Sequence, residues 1–342
     1  MRFCVSLAVC LPFLIPSLEA QITPAVLQKM VAGSAPTNES FSFAAIGDQQ
    51  YGPEGEQKWP ALAESLNASA SHLKFLIHVG DIKNGSSKCS NEMFANRLEA
   101  FNAIRMPFIL TPGDNEWTDC HREADGSYDS LERLAYLRNI FFKSESSLGH
   151  PQIALFRQSQ DLKYSLYREN ALWTQGNVVF ATVHIIGSNN NLGRNADNDR
   201  EFAGRNQANL DWIRAAFHVA TQRQFGAVVL AFQADPRFPL TADDKVKTTS
   251  GFVDLLKVLE EESIRFGKPV LALHGDSHFF RFDKPLISQT DKRELENFFR
   301  LEVPGEQDVH WVEVKVDPRE ADSPFVVTYK SVRANYLKHP LP

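Results

Sequence analysis

The sequence predicts an α/β protein in which parallel strands carry aspartates to one edge of a sheet. An apolar run at 75–79 ends in a Gly-Asp pair at Asp81 and is followed by polar, turn-forming residues. A buried parallel strand has this pattern, because both of its faces are covered. Three further apolar runs lead in the same way to Asp48, Asp114 and Asp276. One such corner indicates only a turn, but four in one chain indicate a shared site.

The spacing of these aspartates supports the same fold class. Asp48, Asp81 and Asp114 follow one another at intervals of 33 residues, about the length of one strand–helix–strand unit. Right-handed crossovers keep such strands parallel, so their carboxyl ends share the edge where ligands of open α/β sheets bind. Four carboxylates at one partly buried edge repel one another unless protons or cations neutralise them. The sequence therefore predicts a site for one or two divalent metal ions.

Strands and helices alternate in the first half of the chain. Ser90 is a suitable N-cap for a helix at 91–104, and Pro112-Gly113 is a strong stop signal after a strand at 108–111. Short apolar runs and apolar residues at helical spacing give the other elements. These are strands at 41–46 and 74–79 and helices at 24–31, 57–73 and 128–142.

The second half of the chain begins with three predicted strands, at 163–167, 171–173 and 178–186, the first two joined by a turn. An Asn-rich loop at 188–198 follows. We expect parallel strands to dominate the first half and a more antiparallel set of strands to form the second. The remaining elements are helices at 199–221 and 249–265 and strands at 227–232, 270–273, 299–303, 310–316 and 325–329.

Length and composition indicate one large domain, with at most a small appendage. The chain has 342 residues, of which 43% are hydrophobic, and no Pro- or Gly-rich linker divides it. The formal net charge is −6. Because no basic stripe is available to neutralise phosphates, nucleic acid is not expected as a main partner.

The N-terminus resembles a secretory signal. Residues 1–20 have a weakly positive start, an apolar core and a small residue at the end, so we expect a secreted or periplasmic protein. An uncleaved anchor is the alternative; no later stretch is apolar and long enough to span a bilayer. The segment 21–40 is predicted to be a linker that contains the helix at 24–31, and 41–342 to be the domain.

Two cysteines remain after this signal, Cys89 and Cys120, each a few residues beyond a strand-end aspartate. In an oxidising compartment we expect them to form a disulfide that ties two loops of the site together. Two independent loop thiols are the alternative.

The ordered strand-end motifs resemble those of the calcineurin-like metallophosphoesterases, the superfamily that includes purple acid phosphatases. Members carry Asp-x-His, Gly-Asp, Gly-Asn-His-Glu/Asp, a strand-end His and Gly-His-x-His, in that order. The resemblance covers about 41–280 and implies a four-layer α/β/β/α sandwich. The matching places are Asp48-Gln49-Gln50, Gly80-Asp81, Gly113-Asp114-Asn115-Glu116, Gln233 and Gly275-Asp276-Ser277-His278.

The resemblance also implies a metal-ligand set. Asp81 takes the place of the carboxylate that bridges two metals. One metal is then held by Asp48, Gln50 and His278, and the other by Asp114, Gln233 and Asp276.

Several family histidines are replaced in this set. Gln50 and Gln233 supply amide oxygens, Asp276 supplies a carboxylate, and Asp114 replaces an amide with a carboxylate. The set is oxygen-rich, so Mn²⁺, Mg²⁺ or Ca²⁺ is favoured over Zn²⁺, and iron is a further option.

Asn115 occupies the position where the family has a histidine that protonates or stabilises the leaving oxygen. An amide donates a hydrogen bond but transfers no proton near pH 7. His184 and His121 are the candidate replacements. His184 lies in an apolar strand, so a core histidine is the alternative, and His121 lies in a loop that is solvent-facing by default.

Three arginines flank the Asn-rich loop and are candidates for binding a substrate phosphate. The alternative is a solvated loop and helix. They are Arg194, Arg200 and Arg205.

The function expected from this resemblance is that of a secreted, metal-dependent phosphoesterase. It would hydrolyse small phosphate mono- or diesters through a metal-activated hydroxide. The alternative is a catalytically weak or inactive metal-binding module that keeps the fold and uses the site to recognise a ligand. The sequence leaves the oligomeric state open.

Overall fold

The computed structural model describes residues 22–32, 35–239 and 247–336, and every structural statement below concerns this part. The predicted signal at 1–20 lies outside it. In chain order the strands are β1 (Phe41–Ile46), β2 (Leu73–His78), β3 (Phe108–Leu110), β4 (Phe156–Arg157), β5 (Ala171–Gln175), β6 (Val178–Thr182), β7 (Ala227–Ala231), β8 (Val270–His274), β9 (Arg281–Asp283), β10 (Phe298–Glu302), β11 (Trp311–Val316) and β12 (Phe325–Lys330).

The helices alternate with these strands along the described part of the chain. They are α1 (Pro24–Val31), α2 (Gly52–Ser69), α3 (Asn91–Asn102), α4 (Ser130–Phe141), the short turn α5 (Gly187–Asn190), α6 (Ala196–Gln222) and α7 (Val253–Phe266). No helix in these ranges is long and apolar enough to cross a membrane.

The strands form two sheets. One has the order β12-β11-β1-β2-β3 and the other β4-β5-β6-β7-β8-β10-β9. In the first, β1, β2 and β3 are parallel and β11 and β12 are antiparallel additions. In the second, β6, β7, β8 and β10 are parallel. The second half also has three antiparallel pairings, of β5 with β6, β9 with β10 and β11 with β12, and is therefore more antiparallel than the first half, as expected. The buried strands of the second half are parallel because helices or long connections lie between them.

Three apolar cores separate four layers. Between the sheets, Phe43 and Phe75 pack against Phe180, with ring centroids 5.4 and 5.1 Å apart. Helices α2, α3 and α4 cover the outer face of the first sheet, and α1, α6 and α7 cover the outer face of the second. This arrangement confirms the predicted four-layer α/β/β/α sandwich.

The predicted strand at 163–167 is wrong. The chain instead forms a 3₁₀ turn at Leu162–Tyr164. The Asp161 side chain caps this turn by accepting a hydrogen bond from the Lys163 amide at 3.0 Å. Leu166, an apolar position within the predicted strand, is exposed. The predicted strand at 178–186 is also too long, since β6 ends at Thr182.

The helix predicted at 57–73 begins earlier, at Gly52, and ends at Ser69. Pro53 lies in its first turn, where a backbone amide would have no hydrogen-bond partner within the helix, so a proline costs nothing there. This shift brings the helix start next to Tyr51, which matters for the site.

The helix α1 has the predicted bounds, but it is more than part of a linker. Ile22, Val26 and Met30 are buried in the same core as α6. The packed structure thus begins before residue 41, where we expected the domain to begin.

A disulfide joins Cys89 and Cys120, with their Cα atoms 5.8 Å apart. The pairing is therefore confirmed and the alternative of two separate thiols is wrong. Both sulfur atoms lie close to the carbonyl oxygen of Asn115, at 3.6 and 3.7 Å. The bridge ties the loop after β2 to the loop after β3, immediately behind a candidate site residue.

Candidate metal centre

The strand-end aspartates meet at the carboxyl edges of both sheets. Asp48 follows β1, and Asp276 follows β8 in the other sheet. The Asp276 amide donates to both carboxylate oxygens of Asp48, at 3.2 Å each. His278 places Nε2 3.5 Å from Asp48 Oδ1. Residues 228 positions apart in the sequence are therefore brought into direct contact.

Asp81 lies in the middle of the site and is held by three donors. Its Oδ2 accepts from the Asn115 side-chain amide at 2.7 Å and from the Tyr51 hydroxyl at 2.9 Å. Its Oδ1 accepts from the Asn115 backbone amide at 3.2 Å. The Tyr51 hydroxyl also lies 3.5 Å from Asp48 Oδ1. Tyr51 and Asn115 thus cap the carboxylate that the resemblance assigns to a bridging role.

Gln233 links the other side of the site to Asp276. Its Nε2 donates to Asp276 Oδ1 at 3.3 Å, while its Oε1 accepts from the Gly187 amide at 2.6 Å. The amide oxygen predicted as a metal ligand is therefore used by the backbone. Two other predicted ligand atoms are buried without a hydrogen-bond partner in the described part of the chain: Asp114 Oδ1 and Gln50 Oε1.

Burial and mutual repulsion raise the pKa of the acidic side chains. Burial is the largest cause of the raised pKa of both Asp48 and Asp81. For Asp81 the second largest cause is the negative charge of Asp114. For Asp114, burial is followed by the charge of Asp276. Burial also raises the pKa of Asp276 to about 6, with a contribution from Asp48. The site is therefore short of positive charge, which a cation supplies.

His278 is the cationic partner that this acidic site does have. Burial lowers its pKa, but the hydrogen bond and charge of Asp48 outweigh burial, and Glu306 adds to the effect at 3.2 Å. The pKa of His278 rises to about 9, so the ring holds a proton between two carboxylates at neutral pH.

Backbone strain is concentrated at the same residues. Asp48, Gln50, Asp81, Asp276 and His278 all have left-handed backbone, with φ between 53° and 80°. This conformation is uncommon for residues other than glycine and is typical of functional sites.

Neighbouring glycines let the strand ends approach one another. A Cβ at Gly113 would lie 2.0 Å from Asp81 Oδ1, and one at Gly275 would lie 2.0 Å from Asp48 Oδ2. These two glycines of the Gly-Asp pairs are therefore required for the close packing of the strand ends.

The residues fit a divalent cation by their chemistry, although their present contacts are with the protein. Buried carboxylates with raised pKa and unpartnered Asp114 and Gln50 oxygens suit a hard cation. Within the described ranges, however, no group of three or more His, Cys, Asp or Glu side chains is placed so that it could hold a metal ion. Asp81 Oδ2 already accepts hydrogen bonds from both Tyr51 and Asn115, so a cation bound through that oxygen would replace one of them.

His184 lies away from these carboxylates. Its ring is buried, with Nδ1 2.7 Å from Glu169 Oε1, and it packs against Trp117. Burial lowers its pKa to about 4. No hydrogen bond in the described structure joins it to the predicted metal ligands, and this placement favours the alternative of a core histidine. Asn115, by contrast, lies in the site.

The three loop arginines are mostly engaged elsewhere. Arg205 is buried and binds Glu201 and the His184 carbonyl oxygen, so its role is structural. Arg200 forms an exposed pair with Asp197. Arg194 pairs with Asp119 at 3.3 Å and donates to the Thr118 carbonyl.

Sequence reasoning missed Tyr51, which lies just outside the family motifs and donates a hydrogen bond to Asp81. Its position three residues after Asp48 is visible in the sequence, but its role depends on the early start of α2. Glu306, which pairs with His278, was also missed. It lies 28 residues downstream, in a loop with no recognisable pattern.

The layered fold and its acidic carboxyl edge define the class: the chain has the calcineurin-like metallophosphoesterase fold. A solved structure of PhoD matches with a TM-score of 0.50 and 14% identity, over 86% of this chain and 70% of that one. The structure of purple acid phosphatase PPD1 from yellow lupin seeds matches with a TM-score of 0.51 and 12% identity, over 89% of this chain. This chain spans about half of the lupin protein, 53% of its length. No protein-family model matches the sequence, and no curated protein does either.

Proposed function

We propose that this chain is a secreted phosphoesterase that depends on divalent cations and hydrolyses small phosphate mono- or diesters. One observation carries the proposal. Three buried aspartates, Asp48, Asp81 and Asp114, meet the half-buried Asp276 where the strands of both sheets end. Burial raises the pKa of all four, and repulsion between like charges adds to the effect for Asp81, Asp114 and Asp276. Such a site is costly for a folded protein unless cations use it.

Each side chain has a role in the proposed site. Asp81 would bridge two cations, Asp48, Gln50 and His278 would hold one, and Asp114, Gln233 and Asp276 the other. Bound cations would supply the positive charge that polarises a phosphoryl group and activates water. The donor set favours Mn²⁺, Mg²⁺ or Ca²⁺ because most of its atoms are oxygens.

The chain's own residues set the conditions for binding. Asp81 gives up a hydrogen bond from Tyr51 or Asn115, and His278 loses the proton that it holds between Asp48 and Glu306. Asn115 then remains beside Asp81 as a hydrogen-bond donor for a substrate oxygen. Cation binding in this proposal therefore releases a proton and weakens as the pH falls.

Secretion is part of the proposal and rests on the disulfide between Cys89 and Cys120. Structural disulfides persist in oxidising compartments and are rare in the cytosol. The signal predicted at 1–20 points the same way.

The second candidate is a metal-binding module with little or no catalysis. Two observations favour it: Asn115 replaces a histidine, and His184 lies outside the site. Losing a general acid typically costs about 10² to 10⁴ in rate. The two candidates share the cation site and differ only in turnover.

Metal analysis followed by activity assays separates the candidates. The purified mature protein is stripped of metal, reloaded with each cation, and assayed with aryl monoesters and diesters. Asp81→Asn is compared with Asp322→Asn, which removes the same charge at an exposed position. We expect Asp81→Asn alone to weaken Mn²⁺ binding steeply and to lower hydrolysis by several orders of magnitude.

Two other outcomes are informative. Tight Mn²⁺ binding without turnover of any ester would select the module. If the protein binds no divalent cation, and Asp81→Asn behaves like Asp322→Asn, both candidates are rejected.

A further inference from the structure

A cavity of ≈ 540 Å³ adjoins the candidate metal centre on the side of β9. Asp235 forms part of its wall, and the Asp235 backbone amide donates to Asp276 Oδ2 at 2.9 Å. Arg281 also lines the cavity and contacts Asp235 at 3.1 Å and the Ser277 hydroxyl at 2.9 Å. Two residues of the cavity wall therefore contact the segment that carries Asp276: Asp235 binds Asp276 itself, and Arg281 binds the next residue, Ser277.

The lining of this cavity is cationic, in contrast to the acidic protein. Its charged residues are five basic side chains (Arg237, Arg281, Lys284, Lys292 and Arg300) and three acidic ones (Asp235, Asp283 and Glu294). The whole chain has a net charge of −6. The lining itself thus has two more basic than acidic side chains, and any of these cations that lacks a partner within the protein favours an anionic ligand.

Most of these cations are already paired within the protein. Arg281 binds Glu302 and Asp235, Arg300 binds Asp283, and Lys284 binds Glu296 at 2.7 Å. They stabilise the cavity wall but have little capacity left for a ligand.

Arg237 differs from the others. Its guanidinium has no hydrogen bond or ion pair to any other described residue, and the side chain is exposed at the cavity. Its backbone is left-handed, with φ 53°, and its amide donates to Asp235 Oδ1 at 2.9 Å. Asp235 therefore makes two contacts: its backbone amide donates to Asp276, and its carboxylate accepts from the backbone amide of Arg237.

We propose that this cavity is a substrate subsite in which Arg237 binds a second anionic group, a phosphate or a carboxylate, carried by the phosphate ester. The inference deepens the proposed function and rests on it for the position of the first phosphate. A guanidinium forms two parallel charge-assisted hydrogen bonds with either group. The preferred substrates would be doubly anionic, such as bisphosphates or phosphorylated hydroxy acids.

Binding of non-hydrolysable phosphonates tests the subsite without requiring catalysis. The Mn²⁺-loaded protein is titrated with butylphosphonate, with alkane bisphosphonates of three to six carbons, and with phosphonocarboxylates of the same lengths. The same compounds are titrated into Arg237→Gln and Arg237→Lys. Arg105→Gln is the matched control, because Arg105 is exposed and precedes β3 at the opposite, amino edge of the sheet.

We expect at least one doubly anionic ligand to bind about tenfold or more tightly than butylphosphonate. Arg237→Gln should abolish this preference, Arg237→Lys should keep part of it, and Arg105→Gln should keep all of it. A bisphosphonate preference alone, or a carboxylate preference alone, identifies which group the subsite takes.

Hydrolysis of the corresponding esters separates the subsite from the proposed function. If no ester is hydrolysed but Arg237 still controls the binding preference, the subsite stands and the catalytic proposal fails. If esters are hydrolysed while doubly anionic ligands gain nothing over butylphosphonate, the subsite is wrong. Equal losses in Arg237→Gln and Arg105→Gln would also overturn it, since they would show only a general charge effect.

Discussion

The Tyr51 hydroxyl donates a hydrogen bond to Asp81 Oδ2 over 2.9 Å, beside the buried carboxylates of Asp48 and Asp114. Burial raises the pKa of Tyr51 well above its usual value of 10.0, and the charge of Asp81 raises it further. The phenol therefore keeps its proton and remains a donor at any physiological pH. It competes with cations for the carboxylate oxygen that the proposed site needs most.

Replacing Tyr51 tests this competition. Tyr51→Phe removes a hydrogen bond to a carboxylate, worth roughly 1.5–3 kcal/mol, that a cation must displace. We expect Mn²⁺ to bind about tenfold or more tightly, measured by titration calorimetry. Tyr336→Phe, at an exposed position, serves as the control. Weaker binding by Tyr51→Phe would instead make the hydroxyl part of the cation-bound state.

Much of the fold could be predicted because its strands are buried on both faces. The runs before Asp48, Asp81 and Asp276 are almost wholly apolar, and each forms a strand as expected. The strand predicted at 163–167 failed because a local cap at Asp161 outweighs an alternating pattern. Such side-chain caps compete with strands over short distances, where periodicity carries little information.

The convergence of Asp48, Asp81 and Asp114 also followed from the sequence, since parallel strands of one sheet end at one edge. Asp276 follows a strand of the other sheet, and the strand-end pattern alone did not indicate that second sheet edge. What could not be predicted was the set of contacts between distant loops. Glu306 reaches His278 from the loop before β11, and Gly187 uses the Gln233 oxygen. Both contacts join loops that follow neighbouring strands of the second sheet, β8 and β10 in one case and β6 and β7 in the other, and no local pattern encodes which strands become neighbours.

Asn115→His is expected to restore a proton donor beside Asp81. The gain should depend on the leaving group. Hydrolysis of alkyl phosphates, whose leaving oxygen needs a proton, should rise by about 10² or more. Hydrolysis of p-nitrophenyl phosphate should change little. Asn115→Gln, which keeps the amide and adds length, controls for crowding; an equal effect on both substrates would contradict a role in proton transfer.

The disulfide is expected to stabilise both the fold and the site. Cys89 and Cys120 are 31 residues apart, and closing a loop of this size contributes about 3 to 4 kcal/mol in the chain-entropy model. Urea unfolding of Cys89→Ser/Cys120→Ser should show a loss of this order. Because both sulfur atoms lie behind the Asn115 carbonyl, Mn²⁺ affinity should fall as well. Stability lost at unchanged affinity would show that the bridge does not position the site.

The buried ring of His78 makes the stability of the protein depend on pH. Burial lowers its pKa to about 3, the charge of Arg97 adds to the effect, and Nδ1 accepts a hydrogen bond from the Gly80 amide at 3.1 Å. In the unfolded chain the pKa is near 6.5. Between these values the unfolded chain binds one more proton, so the free energy of unfolding falls as the pH falls.

Comparison with His78→Asn isolates this contribution from the acidic residues of the site, whose raised pKa acts in the opposite direction. Asn accepts the Gly80 hydrogen bond but does not titrate. It is expected to be less stable than the wild type at pH 7, because the ring leaves space in a packed core. Between pH 7 and pH 5 the difference should shrink by about 2 kcal/mol, measured by urea unfolding at each pH. A difference that stays constant would mean that His78 takes up a proton in the folded protein, contrary to its burial.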